Sequence, residues 1–199
     1  MALAQKAAGL SEAEYLRLER LAEFRSEFFD GEVFAMAGGT RAHSLIATNL
    51  AGELRAALKK TDCVTYNTDL RVKAEATGLF TYPDVSVACG KQRFLDEEQD
   101  TLLNPTLIIE VLSDATEAYD RGKKFEHYRQ IPSFREYLLV SQKEPRIEQF
   151  IRQKDGTWNL KESVGLQANL KLESVDVTLR LSEVFAKVQF PPAALRARP

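Results

Sequence analysis

The stretch PTLIIEVLSDAT, residues 105–116, sets one carboxylate, Glu110, inside an apolar run. Leu107, Ile109 and Val111 alternate onto one face, while Ile108 and Leu112 share the other with Glu110. Apolar residues on both faces are the pattern of a strand covered on both sides in a sheet interior. An ionised carboxylate left unpaired there costs several kcal/mol, a large part of a domain's net stability of about 5–15 kcal/mol. Protonation, a basic partner or a metal ion can offset that cost.

The preceding strand-like segment, YPDVSVAC, supplies a second acid. Pro83 belongs at a strand start or an edge, so Asp84 is placed at the entry of its strand, where it can meet Glu110. Two close carboxylates favour a shared proton unless a divalent cation lies between them, and oxygen donors suit Mg²⁺ or Mn²⁺. The structural alternative is that Asp84 caps a turn and Glu110 makes a salt bridge. Directly downstream, SDATEAYDRGKKFEHYRQ gathers Asp120, Arg121, Lys123, Lys124, His127 and Arg129 on a helix expected over 117–130 and stopped by Pro132. Phe125 and Tyr128 mark its buried side, so Lys124 lies at the margin and can reach back towards Glu110, while Lys123 faces outward and His127 reads as surface. A solvated charged helix is the plainer reading of that cluster.

Further out, Ser11 with Glu14 forms a capping-box pattern for a helix over 11–24, and Asp30-Gly31 between aromatic runs signals a hairpin. Gly38-Gly39 turns the chain into a helix over 41–60, in which Ile46, Leu50, Leu54 and Leu58 recur every four residues. VTYNTDLRVKA, REYLLVS, EPRIEQFIRQ and TWNLKESV read as strands, with Asp155-Gly156 closing the last hairpin. The segment 90–105 reads as a surface loop, 181–188 as a short helix and the proline-containing tail 190–199 as irregular. The order predicts an α/β (α+β) fold with a central mixed sheet flanked by helices, an N-terminal helix and hairpin, and a C-terminal β extension. A length of 199 residues with 44% hydrophobic content fits one domain over 1–199.

With 27 basic and 29 acidic residues the net charge is −2, so a polyanion partner would need a local basic surface. No stretch is apolar enough for a membrane span or a secretory leader, which points to a soluble, cytoplasmic protein without a membrane partner. Cys63 and Cys89 read as two small buried hydrophobes, with neither a zinc site nor a disulfide framework indicated.

Pro-Asp84, then Glu110 in an apolar strand, then a lysine, is similar to the signature of the PD-(D/E)XK nuclease superfamily. That superfamily sets its lysine two residues after the acid, where Leu112 stands here. EVLSDATEAYDRGKKFEHY nevertheless resembles the bacterial Uma-type restriction-endonuclease-like family, in which the lysine lies on the following helix, matching Lys124. Glu27, Asp30, Gly31, Glu32 and His43 match the same family's early hairpin and helix, and the resemblance spans residues 11–152. It implies a restriction endonuclease-like core and metal-dependent hydrolysis of DNA phosphodiester bonds. Asp84, Glu110 and the Val111 carbonyl would hold Mg²⁺ (or Mn²⁺), Lys124 would assist the attacking water, and Glu32 is the acid to test as a further ligand. His43, at a helix N-terminus that favours the neutral imidazole, would contact a phosphate or a water. A basic groove would draw on Arg41, Arg71, Lys73, Arg121 and Lys123, and cutting both strands of a duplex suits a homodimer. The alternative is a non-catalytic binding or dimerisation module in which an ion network replaces the metal site.

Overall fold

The computed structural model describes residues 4–5, 9–36 and 38–190. After β1 (Ala4–Gln5), α1 (Glu12–Glu19) opens on a complete capping box: Ser11 Oγ accepts the Glu14 amide, and Glu14 Oε2 accepts the Ser11 amide at 3.0 Å. β2 (Ser26–Phe29) and β3 (Glu32–Ala35) form the expected hairpin. Asp30 and Gly31 both have positive φ, 50° and 80°, as its tight turn requires. Thr40 caps α2 (Arg41–Leu58) by accepting the His43 amide, and the four-residue spacing puts Ile46, Leu50, Leu54 and Leu58 in the interior.

The single strand expected from VTYNTDLRVKA is two, β4 (Cys63–Asn67) and β5 (Arg71–Ala74), which belong to different sheets. An unanticipated β6 (Leu79–Thr81) precedes β7 (Val85–Cys89), and the expected loop contains β8 (Thr101–Leu102). β9 (Leu107–Val111) is buried at every position. The helix expected over 117–130 consists of α3 (Glu117–Tyr119), a π-helical turn (Asp120–Lys124) and α4 (Phe125–Tyr128). β10 (Glu136–Val140), β11 (Arg146–Arg152) and β12 (Trp158–Val164) follow as read. A ribbon of β13 (Asn169–Leu172) and β14 (Val177–Arg180), absent from the sequence reading, leads into α5 (Leu181–Val184). The expected irregular tail lies outside the described residues from 191 onward.

The central mixed sheet runs β12-β11-β10-β9-β7-β4, with β9 and β10 parallel and the other neighbours antiparallel. One face packs on α2, α5 and the β13–β14 ribbon through Leu50, Leu54, Ile109, Leu138 and Leu179. The other face, carrying Ile108, Leu112, Tyr137 and Leu139, packs on α4 and on Val72 and Leu79 of a second sheet, β1-β3-β2-β6-β5-β8. α1 closes the far side of that sheet with Tyr15 and Leu16 against Phe28 and Phe80. β9 is therefore enclosed on both faces, as its apolar alternation predicts.

One expectation is overturned. Cys63 and Cys89 stand opposite each other on antiparallel β4 and β7 and are joined as a disulfide. A separation of 26 residues carries no cue to this pairing; the tertiary register of two strands creates it.

Candidate active site

The antiparallel register of β7 on β9 pairs Val85 with Ile109, so the next pair beyond the ladder is Asp84 and Glu110. Pro83 has no amide hydrogen to donate, which frees the chain at Asp84 to leave the sheet. Asp84 Oδ2 accepts the Val111 amide at 2.7 Å and lies 3.2 Å from His43 Nε2, tying the start of α2 to the end of β9. That hydrogen bond raises the His43 pKa against the opposing effect of burial. That direction is opposite to the one a helix N-terminus alone would favour, the neutral ring.

Glu110 is 4% exposed. Its Oε1 accepts the Tyr128 hydroxyl at 2.8 Å and lies 3.0 Å from Lys124 Nζ. The same ammonium is 3.0 Å from Glu27 Oε1 and 3.5 Å from Asp120 Oδ1, so one lysine faces three carboxylates. Thr81 donates its hydroxyl to Glu27, and the Tyr137 hydroxyl donates to the Asp120 carbonyl at 3.1 Å. Burial pushes the Glu110 carboxyl up to about 8 even though Lys124 opposes it. Burial also raises Asp120. For Lys124 burial acts to lower the pKa, but Glu110 and Glu27 outweigh it and hold the ammonium above the ordinary lysine value. Three carboxyl groups thus share one ammonium in a buried pocket, with Asp120 Oδ1 buried and without a hydrogen bond.

The structure thus brings together Asp84, Glu110, Lys124, His43 and the Val111 backbone. Glu32 pairs with Phe29 across the hairpin, on the face that carries Glu27 but nearer the turn, and makes no ion pair. Glu27 is instead the hairpin acid at the lysine; alternation with the core residue Phe28 was the signal that could have found it. Asp120 is recruited by the π turn, which buries it together with Lys124. Among the described residues, no group of three His, Cys, Asp or Glu side chains is placed to hold a metal ion by itself.

A buried carboxylate alone does not mark such a site. Glu136, with no exposure, is saturated by the Gln149 amide group, the Glu173 and Ser174 amides and the Ser174 hydroxyl. Glu110 differs in having, among the described residues, no donor to Oε2, and Asp84 Oδ1 likewise receives none from them.

Two surface expectations are corrected. The five-residue basic groove does not form: Arg71 is 3% exposed and bound to Asp100, Lys73 lies 2.6 Å from Glu12, Arg121 grips Glu148 and Glu117, and Lys123 pairs with Glu126. Arg41 alone of the five is exposed and without a carboxylate partner. His127 is 9% exposed, not a surface residue; its ring lies 4.5 Å from that of Phe29, and its buried Nδ1 has no hydrogen bond. Lys123 faces outward as expected.

A family model described as "Uma2: Putative restriction endonuclease" matches residues 12–183. The uncharacterized protein slr1290 of Synechocystis sp. is 35% identical over 184 residues, covering 91% of this chain and 94% of the relative. The uncharacterized protein sll1609 of the same organism is 33% identical over 168 residues, covering 84% and 95%. A crystal structure described as a putative nuclease belonging to DUF820, from Anabaena variabilis, matches with a TM-score of 0.73 at 19% identity, covering 90% of this chain and 99% of the other. At that identity the likeness shows the fold. No helix among the described residues is long and apolar enough to cross a membrane.

Proposed function

The chain belongs to the Uma2 family, and from that membership we propose that it is a divalent-metal-dependent endonuclease hydrolysing DNA phosphodiester bonds. The observation that carries the proposal is the buried Lys124 ammonium 3.0 Å from Glu110, at the strand end where Asp84 arrives. The residues fit a hard cation. Glu110 Oε2 and Asp84 Oδ1 lack donors among the described residues, three carboxyl groups share one ammonium in the pocket, and every available donor is oxygen. Asp84, Glu110 and the Val111 carbonyl would hold Mg²⁺ or Mn²⁺, with Glu32 as the acid to test as a further ligand. Because such ions keep several waters, fewer than three protein acids can suffice. The bound ion supplies Lewis acidity and neutralises phosphoryl charge.

Lys124 orients the attacking water and adds positive charge beside the phosphate. Glu27 and Asp120 keep that ammonium protonated and in place, and Tyr128 fixes the Glu110 carboxylate so that its other oxygen stays open. His43, raised towards its charged form by Asp84, donates to a phosphoryl oxygen or steadies a water. The chain acts as a homodimer in the cytoplasm, one active site for each strand of the duplex.

The test is incubation of the purified protein with supercoiled, linear and single-stranded DNA in Mg²⁺, Mn²⁺ or EDTA, with Asp84→Ala and Lys124→Ala in parallel. Metal-dependent nicking or cutting is expected for the wild type and for neither variant. A second reading, an ion network serving a binding or dimerisation module, draws on Lys124 already satisfying Glu110. Calorimetric titration with Mn²⁺ separates the two. The nuclease requires binding that disappears in Glu110→Gln, and the ion network requires none.

A further inference from the structure

A second charged site lies at the other end of the central sheet. Arg152 donates its amide to the Arg135 carbonyl at 2.8 Å, and the adjoining pair in register is Glu136 with Ile151. Arg135 and Arg152 are therefore directly opposed, with side chains on one face. Like charges so placed repel. Among the described residues neither they nor Lys154, two residues further along, makes an ion pair, and the Arg152 guanidinium donates only to the Ile131 carbonyl, at 3.4 Å. The nearest acid in sequence, Asp155, uses Oδ1 to accept the Thr157 amide and hydroxyl at 3.0 and 2.7 Å and so belongs to the turn. Between the three cations is an open cleft of about 530 Å³, closed off by Pro132 and Gly156.

The chain's net charge is −2, but the lining of this cleft carries three cations and no acid. Guanidinium forks match phosphate oxygens two at a time, and a polyanion would relieve the repulsion between Arg135 and Arg152. Parallel pairing of β10 with β9 sets Arg135 at the strand start and Glu110 near the strand end, roughly 13 Å apart along the sheet. We propose that the cleft bounded by Arg135, Arg152 and Lys154 binds phosphate groups of nucleic-acid backbone, on a segment other than the one at the acids. The choice of nucleic acid as the phosphate source rests on the nuclease reading.

The experiment measures binding of a short mixed-sequence duplex in EDTA across a salt series, for the wild type, Lys154→Gln and the double variant Arg135→Gln/Arg152→Gln. Inorganic phosphate is titrated separately. The double variant should lose affinity about tenfold at low salt, and its slope of log K against log salt should fall by about two, one for each phosphate contact removed. Lys154→Gln, an exposed side chain with no hydrogen bond to lose, should reduce the slope by about one without touching the fold. Unchanged affinity and slope in these variants overturn the proposal. Binding of inorganic phosphate without binding of duplex overturns its nucleic-acid part. Cleavage by a protein whose duplex affinity ignores Arg135 and Arg152 would leave the nuclease reading standing and remove this one; a salt-sensitive cleft on a protein that cuts nothing would do the reverse.

Discussion

Gly39 is the residue on which the placement of His43 turns. A methyl group there would lie 2.9 Å from His43 Nδ1 and 3.1 Å from its Cγ, so the imidazole would have to shift, which disturbs its 3.2 Å contact with Asp84. Gly39→Ala should therefore lower DNA cleavage while the free energy of unfolding from urea titration changes by less than about 0.5 kcal/mol, as for other exposed positions. Normal cleavage by that variant would remove His43 from the reaction. His127 gives a residue-scale test of stability. Burial lowers its pKa below 6.5, with Glu126 acting to raise it and Lys123 to lower it. A depressed histidine contributes stability that is present above its unfolded pKa and is lost as pH falls through the folded value. Thermal unfolding from pH 8 to pH 5 should show a steeper loss for the wild type than for His127→Gln. At this scale the sequence was informative about Asp84, Glu110 and Lys124, because a charge inside an apolar run needs an explanation. It marked Glu27 only as a hairpin match and Asp120 only as one charge among several, because their roles exist once the fold brings the Lys124 ammonium to both.

Elements were legible where one segment carries its own signal. The Ser11 capping box, the Asp30-Gly31 turn and the four-residue period of α2 are local, and all three formed as read. The second sheet was not, because β6 and β8 are only three and two residues long: β6 pairs with β5 across a short turn and with the distant Phe28, and β8 takes its strand geometry from β5, with Thr101 paired to Arg71. The π turn is a similar case: an apolar period marks a helix but not a widened turn within it. β4 is an edge strand, held to the sheet through β7 and by the bond from Cys63 to Cys89. Closing a loop of that length limits the unfolded chain by about 3–4 kcal/mol in the chain-entropy view. Reductant should lower the urea midpoint of the wild type towards that of Cys63→Ser, which reductant should leave unchanged.

Across the whole molecule, charge is distributed with a polarity that the net value of −2 conceals. Acids gather where β9 ends, uncompensated cations where β10 begins, and the basic residues expected to line a groove are mostly consumed by ion pairs within the fold. Affinity for nucleic acid then depends on a few positions rather than on a broad positive face. Glu136 has a consequence for where this domain can be cut. Three of its four hydrogen bonds come from Glu173 and Ser174 in the loop joining β13 to β14, so the ribbon is fastened to the central sheet. A fragment ending at residue 167 would contain every candidate active-site side chain yet should be recovered as insoluble protein. Pairing the same truncation with Glu136→Leu should restore part of the soluble yield on expression, which makes this remote hinge of the chain, rather than the catalytic segment, the limit of its minimal folding unit.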